Sequence, residues 1–255
     1  ILDAAGAVRC WGDNNPGDAP RLVPDADGAA RVAIYSERGV FLRGNQGREF
    51  TLDDLAQPSS ALFTGGSAVA MGLDHGCALR PAGAVARCGG NGIAQLGLAG
   101  TAQNLLQPTI PIPGLQATAV ATGEDHSCAI ASNKQLHCWG ASVDYGQVGH
   151  GEFADATSPQ PVLADVDQVE LGCCTSGARV GNQLYLWGRN DSRQASSSGS
   201  GAIAVPTLYV TKQNDVVDFA LGRSHTCVIT LASQVECFGD NARGQLGNGT
   251  QNPVV

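Results

Sequence analysis

Positive charge is scarce in this sequence: 15 Lys and Arg stand against 23 Asp and Glu, a formal net charge of -8. Nucleic-acid binding rests on a basic surface, so a phosphate-backbone partner is excluded. Charged residues of either sign reach only 15% and aromatics 5%. No apolar run approaches the roughly 20 residues of a membrane-spanning helix, so membrane insertion by this segment is not expected. Catalytic signatures are missing as well. There is no G-x-S-x-G elbow, and no glycine-rich loop is followed by a helix that could receive phosphate. The acidic groups Asp53-Asp54 and Asp165/Asp167 lack the oxygen-ligand spacing of a calcium loop and read as solvated surface. The chain is therefore expected to be no enzyme and to carry no cofactor and no metal.

What is abundant is glycine, 34 residues, and cysteine, nine. Both are organised by a repeat. Residues 123–149, GEDHSCAIASNKQLHCWGASVDYGQVG, read as two short strands (127–131 and 135–139) joined by a polar turn at Asn133 and followed by a glycine-rich loop. Residues 222–247 repeat the pattern, and residues 72–97 repeat it with one extra residue assigned to the turn. Weaker copies fall at 172–188, 32–44 and 1–12.

The glycines that close the hairpins, Gly12, Gly44, Gly90, Gly140, Gly188 and Gly239, are spaced by 32, 46, 50, 48 and 51 residues. A period near 50 is too long for a solenoid coil and suits a four-stranded propeller blade. Two more strands per period are legible. One is proline-led (107–113, 158–164, 205–211), and the other runs into the next signature (117–123, 166–172, 216–222). The expectation is an all-β propeller of about six, or seven, four-stranded blades in one domain over 1–255. Its ring would be closed by residues 1–11 and 253–255 in a shared blade, which removes exposed sheet edges. The short first step marks an incomplete N-terminal blade. Because the chain opens in mid-hairpin, residue 1 is expected to lie inside a longer product.

The signature G-x-x-H-[ST]-C-A-[LI], V-x-C-W-G, G-Q-L-G resembles the regulator of chromosome condensation repeat family, and the likeness covers nearly the whole chain. It implies a propeller, usually of seven blades. It does not specify an activity, because folds of this kind host unrelated functions.

Cys77 and Cys88 are 11 apart, whereas Cys128 and Cys138, like Cys227 and Cys237, are 10 apart. Each pair straddles the hairpin turn, so its members should oppose one another. Directly opposed Cα atoms lie about 4.5 to 5.5 Å apart, within disulfide reach. Where one member is missing, so is the other: Val32 with Leu42, Gly177 with Leu186. The partner of Cys10 would fall just before residue 1. Three cross-strand disulfides are expected, and with them an oxidising, extracellular or cell-surface setting. Cys173 and Cys174 occupy the two positions between glycine and histidine; a strained vicinal ring is the expected state, with a bond to Cys10 as the alternative. Zinc is disfavoured because cysteines 10 apart across a hairpin are not a C-x2-C pair. Asn190 and Asn248 each head a sequon and are possible glycosylation sites.

His75, His126 and His225 recur at one offset, and a group repeated around a ring is expected to satisfy backbone rather than to catalyse. Trp11, Trp139 and Trp187 read as blade-packing residues, and Gln95, Gln147, Gln194 and Gln245 as residues that bond turn backbone. By elimination the function is expected to be contact: a non-enzymatic extracellular module that binds protein or glycan within a larger assembly. Loop residues Tyr145 and Phe153 are the candidate anchors. Within the family resemblance, a receptor or adhesin ectodomain and a secreted enzyme inhibitor are the alternatives.

Overall fold

A computed structural model describes residues 2–10, 20–35, 38–51, 60–98, 111–209 and 215–253. Among them the chain is all-β, with 20 strands and a single 3-10 turn at Pro81–Gly83. Successive antiparallel units follow the chain. β1 (Arg9–Cys10) pairs with β2 (Arg21–Leu22), and Leu2 bridges Val8. β3 (Ala29–Tyr35), β4 (Arg38–Arg43), β5 (Gln46–Thr51) and β6 (Ser60–Thr64) form the second unit. β7 (Ala68–Met71), β8 (His75–Leu79) and β9 (Ala84–Gly89) form the third, completed by the first half of β10 (Pro111–Thr122). The second half of β10 opens the fourth, with β11 (His126–Ala131), β12 (Leu136–Gly140) and β13 (Ala156–Leu163). β14 (Gln168–Leu171), β15 (Thr175–Val180), β16 (Gln183–Gly188) and β17 (Ile203–Tyr209) form the fifth. β18 (Val216–Leu221), β19 (His225–Thr230) and β20 (Val235–Gly239) form the last.

The strands of a unit differ in what they face. β8 and β11 are buried at every position, because neighbouring units cover both of their faces. Small residues fill the middle of both, as Gly76, Cys77 and Ala78 and as Ser127, Cys128 and Ala129. β13 and β17 are outer strands of half-buried residues, and they carry Pro159, Pro161 and Pro206, which an edge strand tolerates. At the other side of the units, residues of β3, β7, β10 and β14 line a common cavity of about 560 Å³, together with Leu2. Asp218 of β18 reaches this group by accepting a 2.6 Å hydrogen bond from Gln168 Nε2.

The glycine that ends each hairpin is fixed by sterics. Gly140, Gly188 and Gly239 have φ of +103°, +95° and +107°, and a Cβ there would meet the carbonyl oxygen of Asp125, Cys174 or Ser224 at 2.4 to 2.6 Å. In the third unit the equivalent is Gly89 (φ +99°, paired with His75), not Gly90. This corrects the register by one residue. Cys77 lies opposite Arg87, and Cys88 opposite Gly76 at the position that Trp139 and Trp187 hold elsewhere. The turn is not one residue longer; the third copy has a second glycine after its hairpin. Direct opposition of Cys77 and Cys88 therefore does not occur, and the Cys88 side chain lies outside the described residues.

The second unit is also shifted. Residues 32–44 span β3 and β4, so Gly44 belongs to the tight β4–β5 turn, and the positions matching the cysteine pair are Val40 and Glu49 rather than Val32 and Leu42. The two strands expected at 107–113 and 117–123 are one: β10 pairs with β9 at Pro111 and Gln116 and with β11 from Ala117 to Thr122. Trp11 and residues 107–110 lie outside the described residues, and so do residues 1, 254 and 255 of the expected closing joint. Among the described residues the first unit pairs only with Arg21–Leu22.

Cys128 is bonded to Cys138 and Cys227 to Cys237, each with Cα atoms 4.1 Å apart on directly opposed positions. Closing a loop of this size is worth about 2 to 3 kcal/mol through the unfolded chain. A Cys128→Ala/Cys138→Ala variant is therefore expected to lose at least that much stability in urea denaturation. An unchanged midpoint would show that the cross-link contributes nothing.

Candidate functional site

The three interfaces that join the third unit to the last are each built around one buried carbonyl. Ser127 Oγ and Trp139 Nε1 both donate to the Gln95 carbonyl, at 3.0 Å each, and Ser127 Oγ also lies 2.9 Å from His75 Nε2 of the preceding unit. The next interface repeats this. Ser176 Oγ and Trp187 Nε1 donate to the Gln147 carbonyl at 2.7 and 2.9 Å, and Ser176 Oγ lies 2.8 Å from His126 Nε2. In the last unit Thr226 Oγ1 donates to the Gln194 carbonyl at 2.7 Å, with Phe238 in the tryptophan place. Each serine spends its only proton on the carbonyl, so the imidazole Nε2 must be the donor to it. The histidines thus act one step removed from backbone, through the next unit's hydroxyl, which corrects the expectation of a direct backbone contact. His225 has no such partner among the described residues.

The spacing of the motif follows from this contact. A Cβ on Gly72 or Gly123 would sit 2.3 Å from the ring of His75 or His126, so G-x-x-H is the spacing that lets the ring fold back under its own turn. A Cβ on Gly97 or Gly149 would strike the indole of Trp139 or Trp187, which accounts for the last glycine of G-Q-x-G. Three of the four glutamine side chains hold turn backbone; Gln147 does not, its buried Oε1 having no hydrogen-bond partner among the described residues. Gln95, Gln194 and Gln245 Oε1 accept from the amides of Ile93, Ser192 and Arg243 at 2.8 to 2.9 Å.

An asparagine four residues before each of these glutamines escaped the sequence reading. Asn91, Asn190 and Asn241 are buried, and their Oδ1 atoms accept from Leu96, Ala195 and Leu246 at 2.8 to 3.0 Å. Its repeated N-x-x-x-Q spacing was the available signal. For Asn190 this is also a correction. The side chain is 1% exposed and its Nδ2 donates to the Gly199 carbonyl, so the folded chain has no room for a glycan there. Asn248 is exposed.

Burial keeps the relay neutral. It pulls the His75 imidazole down to about 4 against the opposing effect of Asp74, and His126 down to about 3, with His75 adding to the shift.

What differs between units lies outside the relay. The residues between glycine and histidine meet at one end of the cavity-lining strands: Leu73 N donates to the Glu124 carbonyl and Glu124 N to the Cys173 carbonyl, each at 3.1 Å. Cys173 and Cys174 are thiols, not the expected vicinal ring and not bonded to Cys10. Their sulfurs are 2.8 Å apart, and Cys173 is turned to donate to the Glu124 carboxylate. That geometry makes Cys173 the proton holder. The hydrogen bond to Cys174, burial and Glu124 push its thiol far up, whereas the same hydrogen bond pulls Cys174 down. Tyr35 faces the cluster, its phenol raised by burial and then by Glu124, Cys173 and Cys174.

The second group is on the outer loops. Tyr145 is half-buried under the Arg189 guanidinium, 5.4 Å from the ring centroid, and Arg189 is itself held by Asp191. Phe153 and Val143 of this loop are 51% and 58% exposed, and Val205 of β17 is 50% exposed. The Asp155 carboxylate accepts from the amides of Ser142 and Val143 at 2.8 and 3.3 Å, and Gly151 N donates to the Ala204 carbonyl, so this loop is pinned to β17.

Comparison with known proteins agrees with this architecture. The profile of the Regulator of chromosome condensation (RCC1) repeat matches residues 117–147 and 216–245. The chain is 30% identical to the human probable E3 ubiquitin-protein ligase HERC6 over 93% of its own length and 26% of that protein. It is 28% identical to the Ultraviolet-B receptor UVR8 of Arabidopsis thaliana over 60% of its length and 37% of the receptor. It thus spans well under half of these curated relatives. Among solved structures, yeast RCC1 (Prp20) bound to Kap60 superposes with a TM-score of 0.81 at 19% identity, over 99% of this chain and 70% of that one. Human WBSCR16 gives 0.76 at 22% identity, over 88% and 65%.

The relay has a pH consequence. The two buried histidines titrate below the ordinary value of about 6.5, so between that pH and their folded values the unfolded chain binds protons that the folded chain refuses. Their stabilising effect is complete above pH ~6.5 and is lost as pH falls, by up to ~1.4 kcal/mol per unit for each. Urea midpoints are expected to drop from pH 7.5 to 5, and less steeply in His126→Gln. Parallel slopes in the variant would remove His126 from the account.

Proposed function

Starting from an RCC1-like β-propeller, we propose that this chain is a non-enzymatic interaction module that seats a protein partner on its outer loops, in an extracellular or cell-surface assembly. The observation that carries this reading is the division of labour among its side chains. The recurring His, Ser and Trp are consumed in joining unit to unit, and the Asn and three of the Gln side chains in bracing their own turns, which leaves the unit-specific residues on the surface. Of these, Phe153 and Val143 are exposed apolar residues of the loop that carries Tyr145, and Val205 is exposed on the strand to which that loop is pinned. Aromatic and arginine side chains of this kind dominate binding energy at protein interfaces.

The partner class has support from the fold relatives, since solved structures of yeast RCC1 concern its binding to Kap60, Gsp1p and histones. The acidic balance of -8 favours a neutral or basic partner surface. What supports the oxidising setting is the pair of cross-strand disulfides, Cys128–Cys138 and Cys227–Cys237. The ligase relatives do not argue for catalysis here, because the chain spans no more than 26% of HERC6.

Cross-linking mass spectrometry of the native assembly is expected to place partner cross-links on residues 141–156 and 189–202. Phe153→Asp is expected to weaken the captured complex at least about tenfold without changing the melting temperature. Cross-links confined to other faces would sink the loop assignment. Turnover of a small substrate, abolished by changing one polar residue, would sink the contact reading itself.

A further inference from the structure

We propose that Glu124, Cys173 and Cys174 form a binding site for one thiophilic divalent cation, of which zinc suits the donor set, on the turns that follow the cavity-lining strands β10 and β14. The ligand atoms, one carboxylate oxygen and two sulfurs, all lie within 4.8 Å of one another. They match the donor set zinc prefers, at about 2.3 Å for sulfur and 2.0 to 2.2 Å for carboxylate oxygen, with a fourth tetrahedral position left for water. The sulfurs, 2.8 Å apart, need to part by only about 1 Å to span the two corners of such a tetrahedron.

Three features of the structure favour a site over an incidental cluster. First, the ligand backbones are held in advance: the carbonyls of Cys173, Cys174 and Glu124 accept from the amides of Glu124, Arg189 and Leu73 at 3.1, 2.8 and 3.1 Å. Both sides of the unit interface are therefore pinned where the ligands meet. Second, the cluster breaks the symmetry of the ring. The same two positions hold Leu73-Asp74, Glu124-Asp125 and Arg223-Ser224 in other units, so the cysteine pair is not part of the repeated scaffold. Third, the site gathers negative groups: Asp125 stands beside Glu124, and Arg189, the cation that bears on Cys174, is shared with Asp191. A bound cation adds positive charge and replaces the protons on the two thiols, which leave to solvent. The site does not rest on the partner-binding reading, since its ligands Glu124, Cys173 and Cys174 are not among the residues assigned to that contact.

The experiment uses the full chain, reduced with a phosphine, stripped with EDTA and desalted, with cadmium ion alone as the spectroscopic probe. One equivalent of cadmium is expected to stay bound through gel filtration, with a thiolate-to-cadmium charge-transfer band, and to be displaced by zinc. Glu124→Gln is expected to weaken binding by about tenfold or more, Cys173→Ser/Cys174→Ser to abolish it, and Cys10→Ser to leave it intact. If the double variant fails to fold, protection of Cys173 and Cys174 from iodoacetamide by zinc, mapped by mass spectrometry, reads the site in the unaltered chain. The proposal is overturned if the reduced chain retains no cadmium, or if uptake is equal in the double variant. Zinc that leaves both cysteines equally open to alkylation overturns it too, as does recovery of a Cys173–Cys174 disulfide that survives the reductant.

Discussion

A backbone carbonyl that no strand ladder can satisfy is the constraint on which this fold depends. Gln95 and Gln147 place their carbonyls under the neighbouring unit, where water does not reach, and each must be matched by donors from across the interface. Leaving such a group unpaired costs about 1 to 3 kcal/mol. The neighbour supplies two donors, a serine hydroxyl and a tryptophan N–H, and the histidine of the first unit returns the contact by donating to the same serine. The units are therefore not beads that happen to touch. Each completes the polar chemistry of the one before it, as well as burying its apolar face, so a single unit has no stable form of its own.

The same constraint explains the composition. The turns that bring His and Trp under their neighbours leave no space for a Cβ at Gly72, Gly123, Gly97 or Gly149. Ser127, Cys128 and Ala129 fit side by side on a strand that is buried at every position. The disulfides occupy the directly opposed positions at the middle of the hairpin, where the fifth unit has Gly177 and Leu186.

Repetition also separates architecture from function. A residue that recurs with the ring is explained by the ring, whereas a residue that occurs once must be explained otherwise. By that criterion two places stand out: the loop carrying Tyr145 and Phe153, braced by Asp155 and by Arg189, and the turn carrying Cys173 and Cys174 against Glu124. The first is outward and apolar, as suits a macromolecular contact. The second is partly buried, rich in sulfur and oxygen donors, and faces the hub.

The all-β class, the four-stranded period, the hairpins around residues 128–138 and 227–237, and their bonded cysteines were legible in the sequence. Each depends on local spacing: strand alternation, a turn, and two cysteines equidistant from it. Register in the divergent copies was not legible, because Gly89 and Gly90 are interchangeable to the eye and only the pairing with His75 and the φ of +99° select the former. The partner of each histidine was hidden too, since the serine it meets lies about 50 residues away in the next unit. The sequence reading weighed cysteine ligands only within one hairpin. It could not see that Glu124 and the cysteine pair, 49 residues apart, come from adjoining units and meet where those units touch. Local chemistry follows from neighbours in the chain. Which residues from different units converge is decided by the angle and distance at which those units pack, and only the tertiary structure sets that.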